Sequence, residues 1–311
     1  MQTLTILATH ETDISIKAAP WMTMFEDFFN RQAAPNAVQL AFIRQMAARA
    51  HYLLLGDTEH ACEDIEIFAT DKSFIAALSA GGIKQMCLER PPLAQFFLDE
   101  LKTLKKEDER LWAVSRDAVA GLSVADEKAR EKILLSFAGA AAGNPGFRFT
   151  ATDRREREKI DKLMVAEFEA NLRGREADRK RLAQQMGHAI LDDSGTAEFI
   201  WGQGGPCAVF YGAGHFNNSA CVYGHTKDMR GYLASTGKPV LTVNIYRDKN
   251  QQRENAEKRA ASFQSAGVAG SQWKPVLPDA DLYVFPPADA PHGIGVHNPD
   301  LEPLYRAALK I

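Results

Sequence analysis

The chain reads as an α/β protein: a single, largely parallel sheet flanked by helices, with a helical insertion near the crevice at the sheet's carboxyl edge. Three observations predict this. Short apolar runs alternate with longer stretches of helical periodicity along most of the 311 residues, the order expected of a parallel sheet. Most of the runs are continuous rather than alternating, as in strands buried on both faces. Four of the runs also stop at polar marks. Leu53-Leu54-Leu55 runs into Gly56-Asp57-Thr58-Glu59-His60, and Gln85-Met86-Cys87-Leu88 runs into Glu89-Arg90. Phe147-Arg148-Phe149-Thr150 runs into Ala151-Thr152-Asp153-Arg154, and Ala208-Val209-Phe210-Tyr211 into Gly212-Ala213-Gly214-His215. The carboxyl ends of parallel strands form the ligand crevice of open α/β sheets. Two histidines, a glutamate and an aspartate are therefore expected along one edge of one sheet.

The elements follow in order. Residues 1–20 read as irregular and end at Pro20, and 21–30 carries aromatics at a helical spacing that suits core packing. An amphipathic helix is expected over 36–50, with Val38, Phe42 and Met46 on one stripe. Strand one is expected over 52–55. A helix over 63–80 carries Ile65, Ile67, Phe68, Phe74, Ile75 and Leu78, and Gly81-Gly82 stops it. Strand two follows over 84–88, and the strand–helix–strand order implies a parallel, right-handed crossover. Pro91-Pro92 breaks the pattern, and 93–142 then reads as helices throughout. That is more chain than a crossover needs, so the segment is expected to be an insertion covering the crevice. Strand three spans 147–152. Charged helices over 154–173 and 176–191 present solvated faces. Strand four spans 207–211, a short helix 226–235, strand five 239–246, a helix 249–266 and a last strand 281–285. The proline-rich tail, 286–311, contains His292 and His297. No linker or repeat divides the chain, so residues 1–311 are expected to form one domain.

Composition narrows the function classes. A hydrophobic content of 45% with 25% charged residues is ordinary for a soluble globular protein. The net charge of −3 gives no general electrostatic reason to bind nucleic acid or anionic membrane. No apolar stretch is long enough to span a bilayer. The first ten residues lack a basic region followed by an apolar one, so a cytoplasmic location, or translocation without a cleavable signal, is expected. The cysteines are Cys62, Cys87, Cys207 and Cys221, with no Cys-x-x-Cys pair, which fits a reducing compartment. Cys62 lies two residues after His60, but nothing nearby lowers its pKa enough to mark it as a nucleophile.

The strand ends carry the candidate chemistry. His60 follows Gly56 by four positions and His215 follows Gly212 by three, so each imidazole should be presented from a strand-to-helix loop. Either one alone reads as a loop histidine bonded to backbone. The two together, with Glu89 and Asp153 at matching positions, read as a site. Glu89 ends an apolar strand, where an unpaired carboxylate is costly to bury. It is a local partner of Arg90, or a metal ligand, a general base, or the group that orients a histidine. Asp57 and Glu59 flank His60: one is expected in the site and the other as a helix cap. Asp153, with Arg154 beside it, is equally a cap or a site residue. Arg90, Arg154, Tyr211 and Tyr246 are candidates for substrate binding. For the tyrosines, the alternative is a buried ring with one hydrogen bond.

In the order Gly56…His60, Glu89-Arg90, Gly212…His215, this set resembles the erythromycin-esterase/ChaN-like superfamily, which includes TraB and TIKI proteins and a domain of certain bacterial toxins. The resemblance covers residues 50–247, with Asp57 where the esterase branch has glutamate. Asp153-Arg154 resembles a further family position, and Arg175, Arg179 or Arg181 a later helical arginine. The esterase members imply that His60 activates water, with Glu89 essential nearby. The TIKI members imply a divalent metal held by His60, Glu89 and His215, and the ChaN-like members imply haem binding. The lipoprotein signal of that last branch is not seen at residues 1–10, so haem ranks behind a divalent metal as an expected cofactor, and neither is fixed. The leading expectation is a hydrolase acting on an ester, amide or related small substrate. The alternatives are a non-enzymatic haem or small-ligand binder, or an effector-type domain, using the same crevice. The oligomeric state is left open.

Overall fold

A computed structural model describes residues 33–59, 62–104, 108–120, 126–265 and 276–311. Residues 33–311 make one compact unit. Its centre is a seven-stranded sheet in the order β3-β2-β4-β1-β5-β6-β7. The strands are β1 (Tyr52–Asp57), β2 (Gln85–Leu88), β3 (Arg148–Ala151), β4 (Cys207–Gly212), β5 (Val240–Tyr246), β6 (Ala280–Tyr283) and β7 (Ile294–Val296). All neighbouring pairs are parallel except β6–β7. The single, largely parallel sheet read from the apolar runs is therefore present.

Both faces of the sheet are covered, which is why the inner strands are continuously apolar: every residue of β1 and β4 is buried. Alternate side chains serve opposite layers. Leu53, Leu55, Met86, Leu88 and Phe210 join one core with helices α1 (Ala37–Arg49), α2 (Glu63–Thr70) and α3 (Lys72–Ala80). Leu54, Cys87, Val209 and Tyr211 join the other, with α9 (Ser194–Gly202) and α10 (Met229–Ala234). Between the two groups in the chain come α4 (Ala94–Glu100), α5 (Glu109–Ala120), α6 (Glu127–Gly143), α7 (Arg157–Leu172) and α8 (Glu176–Ile190). Helices α11 (Lys249–Ser265) and α12 (Glu302–Ala308) complete the chain.

Local rules account for the helix ends. Helix α1 starts at a reciprocal cap: the Asn36 side chain accepts from Gln39 N, and the Gln39 side chain accepts from Asn36 N, each at 3.0 Å. The expected helix over 63–80 is two helices. Asp71 turns extended and its carboxylate accepts from Ser73 N at 2.7 Å, starting α3 afresh. The tail contributes β7 and α12, and 194–202 is helical; none of these carried a strong enough pattern to be expected. The helices of 93–142 are α4, α5 and α6. They pack Trp112, Val119, Ile133, Leu134 and Phe137 into the first core. The outer edge of β3 is closed by Gln95, whose side chain accepts from Ala151 N at 2.8 Å and donates to Phe149 O at 3.2 Å. Among the described residues, no helix is long and apolar enough to cross a membrane.

Strand order decides where a ligand would lie. From β1 the chain passes to β2 and β3, returns to insert β4 between β2 and β1, and then crosses β1 to β5. The connections leaving β1 and β4 thus run in opposite directions, which makes the carboxyl ends of these two neighbours the switch point of the sheet. Asp57 and Gly212 are register partners there. The backbone is crowded just before it: a Cβ on Gly56 would lie 2.6 Å from Asn244 Oδ1 and 3.0 Å from Ala213 Cβ.

Candidate active site

A cavity of about 890 Å³ opens at this switch point, within the size range of small-molecule sites. Its floor is made by the strand ends and their loops: Asp57 and Thr58 after β1, Glu89 and Arg90 after β2, Arg155 after β3, and Gly212 to His215 after β4. Helix α7 contributes Ile160 and Met164, and α11 contributes Asn255 and Lys258. From the expected insertion come Leu93, Ala94, Asp117 and Ala118.

His215 sits in a 3₁₀ turn directly after β4 and is 4% exposed. Its Nδ1 is 2.7 Å from Asp193 Oδ1, and its Nε2 is 3.5 Å from Glu89 Oε1. Asp193 precedes α9 and also accepts from Met229 N at 3.2 Å. Burial works against a charged imidazole, but the Asp193 and Glu89 carboxylates outweigh it and push the His215 pKa up to about 10. His215 is therefore an imidazolium at neutral pH. Burial raises the pKa of Asp193, with His215 and Arg155 pulling the other way.

Glu89 is held from several sides. Its Oε2 accepts from Gly212 N at 2.9 Å, and its Oε1 accepts from Arg155 Nη2 at 2.5 Å. The same guanidinium donates through Nε and Nη2 to the two oxygens of Asp153, at 2.8 and 2.9 Å. Arg157 makes a further ion pair with Asp153. Burial opposes ionisation of Asp153, yet the Arg155 and Arg157 charges hold its carboxyl below the usual aspartate range. Three carboxylates (Glu89, Asp153, Asp193) thus meet three cations (Arg155, Arg157, His215) in one chain of contacts at the strand ends.

The expected site residues separate into groups. Glu89, His215 and Asp153 come together at one edge, and Asp57 lines the same cavity with its Oδ1 accepting from Glu59 N at 3.0 Å. Glu59 turns toward α11, where its Oε2 accepts from Gln251 Nε2 at 2.7 Å. Arg90 borders the cavity, but its Nη2 is 2.7 Å from both Glu66 oxygens and its Nε donates to Val119 O at 2.7 Å. Arg154 points away: its guanidinium lies 3.7 Å over the Phe199 ring, outside the cavity. The neighbouring Arg155 is the arginine in the network. Tyr211 is buried beneath, its hydroxyl 2.9 Å from Thr152 Oγ1 and its ring edge-on to His215 at 5.6 Å. Tyr246 stacks on Tyr283 with centroids 6.1 Å apart. Neither tyrosine lines the cavity. His60 lies outside the described residues.

Asp193 and Arg155 were not expected. Asp193, in Leu191-Asp192-Asp193-Ser194, lies just beyond the charged helix expected over 176–191, and nothing in its spacing ties it to His215. Arg155 belongs to the mixed-charge run Arg154-Arg155-Glu156-Arg157, which reads as a solvated face.

The metal set expected from the resemblance meets an obstacle. Among the described residues, no three histidine, cysteine or acidic side chains cluster to hold an ion. Between Glu89 and His215 the Arg155 guanidinium is already in place, 2.5 Å from one and 3.4 Å from the other. A fixed internal cation there competes with a metal for both groups. With Arg155 between them, Glu89 and His215 as they stand do not make a metal set by themselves. The Nδ1 bond to Asp193 is one that metal-ligating histidines also make, and His60, the third expected ligand, lies outside the described residues.

No protein-family model matches the sequence, and no curated protein does. Among solved structures, the type III effector HopBA1 is similar at a TM-score of 0.38 and 17% identity, over 68% of this chain and 83% of that one. ChaN of Campylobacter jejuni, in a structure showing cofacial haem binding, is similar at a TM-score of 0.38 and 13% identity, over 65% and 84%. At these scores neither likeness bears on what the chain does.

Proposed function

We propose that the cavity is a hydrolytic active site for an ester, an amide or a related small substrate. The observation that carries this reading is the Asp193–His215 pair, buried and charged, with Nε2 at the floor of a substrate-sized cavity beside Glu89. An imidazolium with a pKa of about 10 cannot serve as a base at neutral pH. Its role is to donate a proton to the leaving group, or to stabilise the oxyanion that forms on attack. Asp193 fixes the ring and keeps it charged. Glu89 holds the ring from the other side, and Arg155 fixes Glu89. The base that activates water is then a second group, and the resemblance to the esterase members implies His60 for it. Splitting acid and base between two groups whose surroundings differ is a recurrent arrangement in hydrolysis.

Turnover of a panel of activated esters and amides by the purified protein, with His60→Ala and Glu89→Gln alongside, tests the assignment. A positioned base contributes ~10²–10⁴-fold, so His60→Ala should lose at least the lower figure. Retained turnover in that variant would reject His60 as the base.

The size of the cavity also favours a second reading, a non-enzymatic small-ligand binder. Titration with haem separates the two. A stoichiometric Soret shift without ester turnover supports the binder, and clean turnover without a Soret shift supports the hydrolase. The resemblance to erythromycin esterases rests on the sequence motifs alone. All four cysteines are free, which supports a reducing, cytoplasmic setting.

A further inference from the structure

Two of the helices that wall the cavity turn unlike faces toward it. From α7 come Arg157, Ile160, Asp161 and Met164, and from α11 come Asn255, Lys258, Arg259 and Ser262. Each set has the i, i+3, i+4, i+7 spacing of one helix face. A helix that lies on a protein ordinarily turns an apolar stripe inward, yet the four residues that α11 presents to the cavity are all polar. Packing does not explain that face. Asn255 fixes its place: Nδ2 donates to Thr58 O at 2.8 Å, which seats the helix over the end of β1. Lys258 and Arg259 follow about one turn, ~5 Å, further along. Among the described residues neither makes an ion pair, and Arg259 has the Tyr246 hydroxyl as a neighbour. The arginines elsewhere in the lining are already committed, Arg90 to Glu66, Arg155 to Glu89 and Arg157 to Asp153.

The apolar lining comes from the other side. Leu93 precedes α4, Ile160 and Met164 belong to α7, and Leu191 follows α8. These elements follow β2 and β3, whereas α11 follows β5. In the sheet β2 and β5 are three places apart, about 14 Å at the usual strand spacing. The carboxylates on the floor have partners of their own: Asp57 lies in the field of Arg90 and accepts from Glu59 N, and Glu89 holds Arg155. Asp117 pairs with Arg116 and Arg130. Asp161 stands on the α7 wall, where it turns an anion away from the apolar side. We propose that the substrate is an amphipathic anion, its carboxylate or phosphate paired with Lys258 and Arg259 and its apolar part against Ile160, Met164 and Leu191. This rests on the hydrolytic reading of the cavity and adds a substrate class to it. An ammonium and a guanidinium side by side suit an oxyanion, the first as a point charge and the second as a fork of donors.

Isothermal titration calorimetry of the full chain with 6-phenylhexanoate, 6-phenylhexyl phosphate and 6-phenylhexylamine tests this without turnover. At least one anion should bind about tenfold or more tightly than the amine, and the tighter anion names the headgroup. Each methylene removed from the linker should weaken binding by about threefold. Lys258→Glu combined with Arg259→Glu should bring the anions to the affinity of the amine or below it, with an unchanged circular dichroism spectrum. Should that double variant misfold, Lys258→Ala and Arg259→Ala singly should each cut the preference by about threefold or more. Met164→Ser should weaken all three ligands by a similar factor. Anions that bind no tighter than the amine overturn the proposal, as does a preference that survives the loss of Lys258 and Arg259, or an affinity that ignores linker length. Anion-selective binding through Lys258 and Arg259 with no turnover of any ester or amide upholds the anion site and rejects the hydrolytic reading. Ester turnover with no anion selectivity does the reverse.

Discussion

Replacing Asp193 by asparagine removes one of the two carboxylates that keep His215 charged. The imidazole stands at a pKa of about 10 against an ordinary 6.5. At 1.36 kcal/mol per pH unit, that is a preference for the charged form of about 5 kcal/mol. Asp193 is the nearer partner, at 2.7 Å against 3.5 Å for Glu89, so the variant's His215 pKa should fall by about two or more. An asparagine also offers one acceptor where the carboxylate serves both His215 Nδ1 and Met229 N. Losing a charged hydrogen bond in this setting costs about 2–3 kcal/mol near neutral pH. The sign follows from linkage. Because the folded pKa is raised, the stabilisation is complete below 6.5 and is lost as the pH rises toward 10. The stability gap between wild type and Asp193→Asn should therefore narrow as the pH rises toward about 10 and be closed above it. Carbon-detected NMR of the histidine ring and urea unfolding at neutral and high pH measure the two quantities. A His215 pKa that does not move in the variant, or a gap that is equal at both pH values, would refute this reasoning.

Arg155→Met leaves Glu89 and Asp153 short of a buried partner that is only 3% exposed, and should cost about 3–5 kcal/mol in thermal or urea unfolding. Arg154→Met loses mainly its contact with Phe199; a cost above about 1–2 kcal/mol would show that its part in the structure is larger than this contact. Burial pushes the Cys62 thiol up to about 12, so alkylating reagents at neutral pH, or Cys62→Ser, should leave turnover unchanged; inactivation by either would restore Cys62 as a nucleophile. Gly56→Ala forces a Cβ to within 2.6 Å of Asn244 Oδ1 and should destabilise by about 1–3 kcal/mol, which chemical denaturation would detect.

The sheet was legible because burial on both faces leaves a direct mark, a continuous apolar run, and each run ended where the strand left the core. Glu89, Asp153 and His215 were legible for the same reason, since a polar residue at the end of a buried strand must find a partner. Strand β7 was not, because three residues in a proline-rich tail pair with β6 through backbone bonds that leave no composition signal. The division of the 63–80 helix rested on Asp71, whose capping bond competes with continuation in a way periodicity does not record. Arg155 was missed in favour of Arg154 because adjacent arginines are equivalent in sequence, and only the path of the chain after β3 turns one inward and lays the other on Phe199. Asp193 was beyond reach: it meets His215 through the packing of α9 against the sheet, 22 positions away in the chain.

The central claim is that a charged His215, held by Asp193 and Glu89, carries chemistry on a substrate in the cavity at the switch point. The measurement that tests it most directly is kcat/KM for hydrolysis of an activated ester by His215→Ala and by wild type, with folding checked for both. The account predicts a fall of ~10²–10⁴-fold in the variant. A wild type that turns over no ester or amide, or a folded His215→Ala within about tenfold of a hydrolytically active wild type, would contradict it.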